Sequence, residues 1–265
     1  MSTKNNYVIA IPSYKREQTI LKYTLSVLKR SKINTDLIYI FVANKEEKNN
    51  YILYLPQEYH KNIIIGIKTL YKQRNFISDY FPTNTYIIQM DDDIRKINKL
   101  INYNSKIRKE NKIQELLDLD SFFRSAYKKM IENGSHIWGV YPINNAYFMF
   151  PRITTDLRFL VGPLFGIINR KNKKLKLTIE EKEDFQRTLQ YFTLDKVVIR
   201  FNNITIDTSY YKTKGGLQHS KKNRKEESLK SALYLHKKYP DLTRLKKKVK
   251  KSGITEIELL RKKTI

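Results

Sequence analysis

Three adjacent carboxylates, Asp91-Asp92-Asp93, close the apolar run Tyr86-Ile87-Ile88-Gln89-Met90, with no lysine or arginine among them. Neighbouring anions repel one another and lose hydration at the rim of a core. The triplet therefore needs a cation nearby, and oxygen donors alone suit a hard divalent metal. Alternate side chains of an extended segment point the same way, which predicts that Asp91 and Asp93 share a target while Asp92 faces elsewhere. An acidic turn or a helix cap is the other use for such a run. A second acidic pair, Glu183-Asp184, stands where a helix is predicted to open. One of these carboxylates could take a proton from a hydroxyl, or both could simply favour the positive end of the helix. Gly215-Gly216 would let backbone approach a phosphate, and His219 beside them could join a metal sphere or be a plain surface histidine. Trp138, Tyr141 and Tyr147 suit a stacking wall for a sugar or base, and suit core packing equally. His60, His136 and His236 lack metal-ligand spacing.

The elements that must position these groups alternate between strand and helix. Continuous apolar strands are predicted over 7–11, 37–43, 62–67 and 86–90, with helices over 20–30 and 71–80. Such a pattern indicates an α/β fold, a mostly parallel central sheet covered by helices on both faces. Ligands of these sheets bind beyond the carboxyl ends of the strands, where Pro12 to Arg16, Asn44 and the aspartates fall. Further on, a helix is predicted over 121–133 with Asp120 as its N-cap, then strands over 137–141 and 159–168. Thr178-Ile179-Glu180-Glu181 has capping-box spacing and opens the helix of Glu183 and Asp184. Segments 197–201 and 204–207 read as a strand pair. After Gly216 the composition shifts to a basic amphipathic helix over 224–238 and a lysine run over 246–251. The division expected is one domain over 1–220 and a basic helical extension over 221–265.

With 265 residues and 40% hydrophobic content the chain can bury a large core. The absence of cysteine excludes disulfides, thiolate metal sites and cysteine nucleophiles. No run of 18 apolar residues occurs and the first six residues lead straight into a strand, so a soluble, intracellular protein is expected rather than a secreted one. Lysine and arginine number 52 against 26 acids, a formal charge of +26. That field attracts polyanions, nucleic acid foremost, although a compositional bias towards Lys, Asn, Ile and Tyr would also produce it. There is no P-loop, no dinucleotide-binding glycine motif and no nucleophile elbow.

The strand ending in Ile11-Pro12-Ser13-Tyr14-Lys15-Arg16, followed at a distance by a strand ending in an acidic triplet, resembles the GT-A glycosyltransferases. The resemblance covers residues 7 to 220. It implies that the loop with Pro12, Ser13, Lys15 and Arg16 holds the nucleotide of a sugar donor, with Asn44 beside it. It implies that Asp91 lies near the ribose and that Asp93 binds Mn2+ or Mg2+ directly. Arg74 in Gln73-Arg74-Asn75 matches the position of a donor-contacting basic residue. Glu183-Asp184 looks like the second acidic motif, whose Asp is the catalytic base of inverting members. Gly215-Gly216-Leu217-Gln218, with His219 and with Tyr239-Pro240 beyond a helix, is similar to the glycosyltransferases of modified DNA bases, the base J enzyme and viral relatives among them. The resulting expectation is a metal-dependent inverting transferase moving a hexose from UDP-glucose to a hydroxymethylated base in DNA. The competing readings are a two-metal nuclease or nucleotidyltransferase built on Asp91, Asp93 and Asp184, and a non-catalytic nucleic-acid-binding module.

Overall fold

The structure, a computed structural model, describes residues 7–209, 221–246 and 256–261. Strands β1 (Tyr7–Pro12), β2 (Ile38–Val42), β3 (Ile63–Ile65) and β4 (Tyr86–Met90) lie side by side in the order β3-β2-β1-β4, every pair parallel. All five residues of β4 are buried, as its unbroken apolar run requires of a strand covered on both faces. The chain winds outward from β1 to β3 and then returns to set β4 on the other flank of β1. That reversal opens a crevice at the carboxyl ends of β1 and β4.

Beyond β4 the sheet becomes mixed. The later strands are β5 (Ile94–Asn102), β6 (Lys112–Glu115), β7 (Ile137–Tyr141), β8 (Ile153–Thr154), β9 (Leu164–Ile168) and β10 (Ile199–Thr208). They continue the sheet from β4 as β9-β7-β10-β5-β6, with β8 against β10. β9 runs antiparallel to both β4 and β7, whereas β7 and β10 are parallel.

Helices cover both faces. On one lie α1, over 17–30, α2 (Lys45–Tyr54) and α4 (Leu119–Glu132), which deliver Ile20, Leu28, Tyr51 and Phe123 to one apolar cluster. On the other lie α3 (Leu70–Tyr80), α5 (Glu183–Asp195) and α6 (Lys221–Lys238), which deliver Ile77, Leu189, Ala232 and Leu235 to a second. No helix among the described residues is long and apolar enough to cross a membrane.

Four local expectations change. The N-cap of α4 is Asp118, which accepts from the Ser121 amide at 3.1 Å, while Asp120 binds the Tyr7 hydroxyl and Arg124. The capping-box segment does not open α5. Lys182 takes a left-handed turn before Glu183, and Gln186 reaches back to bind both the amide and the hydroxyl of Thr178. The two segments expected as a strand pair form the single strand β10: the buried Asn202 side chain donates to the Arg152 carbonyl and the Thr154 hydroxyl, and Asn202-Asn203 leave only a register shift between Phe201 and Thr205 against β7. The basic extension is more than helix: β11 (Thr243–Leu245) and β12 (Ile257–Leu259) form an antiparallel pair.

Of the two readings of Trp138, the core one holds. It is fully buried among Phe122, Phe123 and Phe201, and its indole N–H donates to the Tyr86 hydroxyl at 2.7 Å. Its neighbour across the ladder must be glycine, since a Cβ on Gly166 would sit 2.2 Å from the indole nitrogen.

Candidate active site

The crevice predicted by the strand order is a cleft of about 580 Å3. Pro12 and Ser13 at the end of β1, Ala43 after β2, Ile67 after β3 and Asp91 and Asp92 after β4 all line it. A further wall is Lys68, Thr69 and Leu70, at the N-terminus of α3. A helix N-terminus presents unpaired N–H groups and the positive end of the backbone dipole, which suits an anionic ligand. Thr69 holds φ at +88°, an unusual conformation for a β-branched residue at the edge of a site. Tyr14 projects into the same cleft with the ammonium groups of Lys15 and Lys68 5.6 and 5.5 Å from its ring centre.

The loop after β1 is held from beneath. The Ser13 hydroxyl is 2.6 Å from both the Tyr51 hydroxyl and an Asp92 carboxylate oxygen. Tyr51 also accepts from the Arg16 amide at 3.1 Å. Lys15, in a left-handed turn, donates its amide to Glu47 at 2.8 Å. Asn44 does not line the cleft: its side chain caps α2 by accepting from the Glu47 amide at 2.9 Å, and Ala43 lines the cleft in its place.

The acidic triplet is arranged differently from the alternation expected of a strand. β4 ends at Met90 and the aspartates enter a turn, so period-two geometry no longer applies. Asp91 and Asp92 face the cleft, and each has its own guanidinium: Arg74 reaches Asp91 at 2.9 Å and Arg16 reaches Asp92 at 2.9 Å. Asp93 lies 3.9 Å from Arg16. The turn is clamped by Thr24, in the π turn Leu21–Leu25 of α1, whose hydroxyl donates to the Asp91 carbonyl and accepts from the Ile94 amide.

Two guanidinium groups thus serve three carboxylates. Asp93 is pushed up to about 7, first by burial and then by Asp91 and Asp92, with Arg16 opposing. Among the described residues no three acidic or histidine side chains converge as a complete metal cage. The donor set still fits a divalent cation of the Mn2+ or Mg2+ type. Asp91 and Asp93 offer hard oxygen donors, the triplet carries one uncompensated charge, and Mg2+ commonly fills its remaining positions from phosphate and water. Gly215, Gly216 and His219 lie outside the described residues.

The native state therefore favours protonated Asp93, and the sign of its effect on stability follows. Its contribution is fully present below the ordinary carboxylate value near 4 and is lost as pH rises through about 7. Asp93→Asn is expected to raise the metal-free thermal midpoint at about pH 8, with the gain shrinking towards pH 4, and to remove any further rise caused by Mn2+. A midpoint that falls at the higher pH would show that charge repulsion is not what burdens this turn.

Arg74 joins the triplet to the second acidic pair. It is buried, not exposed to the cleft as the resemblance implied, and its donors are all engaged. Nε binds Glu183 at 3.1 Å, Nη1 binds Gln89 at 3.0 Å, and Nη2 binds both Asp91 at 2.9 Å and the Gly162 carbonyl at 3.1 Å. Gln73, its neighbour, lines the cleft instead. Gly162-Pro163 completes the link, because the Asp91 amide donates to the Pro163 carbonyl at 2.9 Å. A Cβ on Gly162 would lie 3.2 Å from a Glu183 oxygen and 3.6 Å from Asp184 Oδ2, so both acidic motifs meet at this dipeptide.

Within the pair the roles separate. Glu183 is buried with one oxygen on Arg74 and the other 2.6 Å from Arg187, which leaves it no freedom as a base. Asp184 is half-buried, has no ion-pair partner among the described residues, and is raised to about 6 by burial and by Glu183. A carboxylate with that value suits proton transfer near neutrality. Arg187, Thr24, Tyr51 and Gly162 escaped the sequence reading; only Arg187 left a signal, its i,i+4 spacing from Glu183.

The sequence matches no protein-family model and no curated protein. Among solved structures the chain is similar to S. aureus TarS 1-349 in complex with UDP-GlcNAc, with a TM-score of 0.52 and 11% identity over 87% of this chain and 66% of that one. It is also similar to S. aureus TarS, with a TM-score of 0.50 and 12% identity over 87% of this chain and 40% of that one. The chain therefore spans less than two thirds of the length of these neighbours. At such identities the likeness establishes a shared architecture: the chain has the GT-A glycosyltransferase fold.

Proposed function

We propose that the protein is a metal-dependent inverting glycosyltransferase that moves a hexose from a nucleoside diphosphate sugar, with UDP-glucose the leading donor, to an acceptor hydroxyl. The observation that carries this reading is the link through Arg74 and Gly162-Pro163, which ties Asp184 to the acidic end of the cleft. A two-metal nuclease would need Asp91, Asp93 and Asp184 gathered around two cations, and among the described residues no three acidic or histidine side chains converge in that way.

In this reading the cleft between β1 and α3 seats the nucleoside, and the α3 N-terminus with Lys68 faces its phosphates. Asp93 and Asp91 would hold Mn2+ or Mg2+, which offsets the charge gathering on the departing diphosphate. Asp184 takes the proton of the acceptor hydroxyl as its oxygen bonds to the anomeric carbon and the bond from that carbon to the phosphate oxygen breaks. Inversion follows because the acceptor enters on the face opposite the leaving group. The strong positive charge favours an acceptor within nucleic acid, a hydroxymethylated base in DNA being the form the Gly215-Gly216 resemblance suggests.

The test is a thermal-shift screen of nucleotide sugars, UDP-glucose and UDP-GlcNAc first, each with and without Mn2+. A ligand that binds the native state raises the midpoint by mass action. The expected result is a rise that needs metal and nucleotide together. No rise with any donor, alongside a clear one with DNA alone, would overturn the reading in favour of a binding module.

A further inference from the structure

A second groove is lined by Phe185, the residue that follows Asp184 on α5. Of about 610 Å3, it runs between the start of α5 and the β11–β12 pair of the basic extension. Its floor is apolar, formed by Leu157, Phe159, Phe185, Ile257 and Leu259. Phe159 and Phe185 are both half-buried and stack on each other with ring centres 4.2 Å apart and planes 25° from parallel. Phe185 follows Asp184 directly on α5, and Phe159 lies on the segment that leads to Gly162.

The rim is cationic. Arg158, Arg200, Lys246 and Arg261 line the groove against one acid, Glu258, which is engaged by Arg244 at 2.9 Å. Arg158 is matched by Asp156 and Lys246 by Glu256 at 3.4 Å. Arg200 meets only neutral acceptors among the described residues, the Asn202 side chain and the Phe159 carbonyl. Its value is pulled down to about 10 by burial and by the neighbouring Arg158, with Arg261 adding to the effect. Arg261 has no ion-pair partner among the described residues. In the sequence, five of the six residues over 246–251 are lysine. Guanidinium groups around a flat aromatic floor match a ligand that joins phosphate to a planar base.

We propose that this groove seats a single strand of nucleic acid, with a base against the Phe159–Phe185 pair and its phosphates held by Arg200, Lys246 and Arg261. The basic extension is then a wall of the site rather than a tail. The assignment rests on the glycosyltransferase reading only in naming that strand the acceptor; binding itself needs no donor.

The test is fluorescence anisotropy of a labelled single-stranded oligothymidylate with the full chain, across a series of salt concentrations. Lys246→Gln/Arg261→Gln is expected to weaken binding and to flatten the salt dependence by roughly one unit of slope, as loss of two phosphate contacts on a single strand should. Phe185→Leu is expected to weaken binding roughly tenfold, the scale of one lost stacking contact. Lys96→Gln/Lys99→Gln, an exposed pair on β5, serves as the control and should change affinity little. Equal losses in the control and groove variants would overturn the proposal, because binding would then be diffuse. Displacement of the oligonucleotide by inorganic polyphosphate at equal phosphate concentration would overturn it too, as recognition of charge alone. The thermal shift with UDP-sugar and Mn2+ is measured on the same variants. Absence of oligonucleotide binding in wild type with that shift intact overturns the groove proposal alone, whereas no shift in wild type with normal oligonucleotide binding overturns the donor reading alone.

Discussion

Asp184→Asn is expected to lower sugar transfer by about 10²- to 10⁴-fold, the range typical of a lost general base. The thermal shift given by donor and metal should survive, because Asp184 does not line the cleft proposed for the nucleotide. The isosteric amide keeps the acceptor of the Phe185 amide hydrogen bond, so the start of α5 should hold its shape. The wild-type rate should carry a pH signature. Burial and the adjoining Glu183 raise the Asp184 carboxyl to about 6, and only the ionised form accepts a proton. Transfer should therefore climb as pH rises through that value and then level, and the limb should vanish in the asparagine variant. Undiminished transfer by Asp184→Asn would remove the residue from the chemistry. Glu183→Gln makes the contrast: it unties two buried guanidinium groups and should read out first as lost stability.

Arg74→Met is the second large effect. The arginine side chain is only 2% exposed and serves Glu183, Gln89, Asp91 and the Gly162 carbonyl together. Methionine fills much of the volume but leaves those acceptors without their donor, and breaking one side of a buried ion pair costs about 3–5 kcal/mol. For a chain of this size that corresponds to a fall of roughly 10 °C in the thermal midpoint. Donor affinity should fall as well, although the side chain never reaches the cleft, because Asp91 loses its support. Arg74→Lys should rescue neither, since one ammonium cannot span a carboxylate, an amide and a carbonyl in the way a planar fork does. Denaturant unfolding checks the first expectation and donor titration the second. A variant within about 1 kcal/mol of wild type would mean that the network is not structural.

What could be read from the sequence was whatever depended on local pattern. The apolar strands at 7–11, 37–43, 62–67 and 86–90 and the helix before the triplet are where the periodicity puts them, because parallel strands covered on both faces leave unbroken apolar runs, which even the more exposed edge strand β3 keeps. The strand ends then brought Pro12, Ser13 and Asp91 to one cleft. The roles of single polar residues were less legible. Asn44 and Arg74 stand next to the site, but one caps a helix through the Glu47 amide three residues on, and the other is a buried brace whose role is decided by distant partners, Glu183 above all. Thr24 falls inside the helix predicted over 20–30, and nothing in its neighbours reveals the turn it clamps, which lies 67 residues away. The mixed half of the sheet was also hidden, since the pairing of β9 with β4 and β7 involves strands whose own sequences look the same in either direction.

That pairing has a consequence for how the chain is made. β4 sits near the middle of the finished sheet, yet its partner on one side is Leu164–Ile168. As the protein leaves the ribosome, the four parallel strands can assemble early, because domains tend to fold from the N-terminus as they emerge. They then present Tyr86-Ile87-Ile88-Gln89-Met90 as an open edge until β9 has been synthesised. An apolar strand with free N–H and C=O groups is a template for pairing with another chain. The three aspartates at its end are the nearest charges that could discourage such pairing in the meantime, so Asp91 and Asp93, proposed above to hold a metal, would with Asp92 also act as gatekeepers during synthesis.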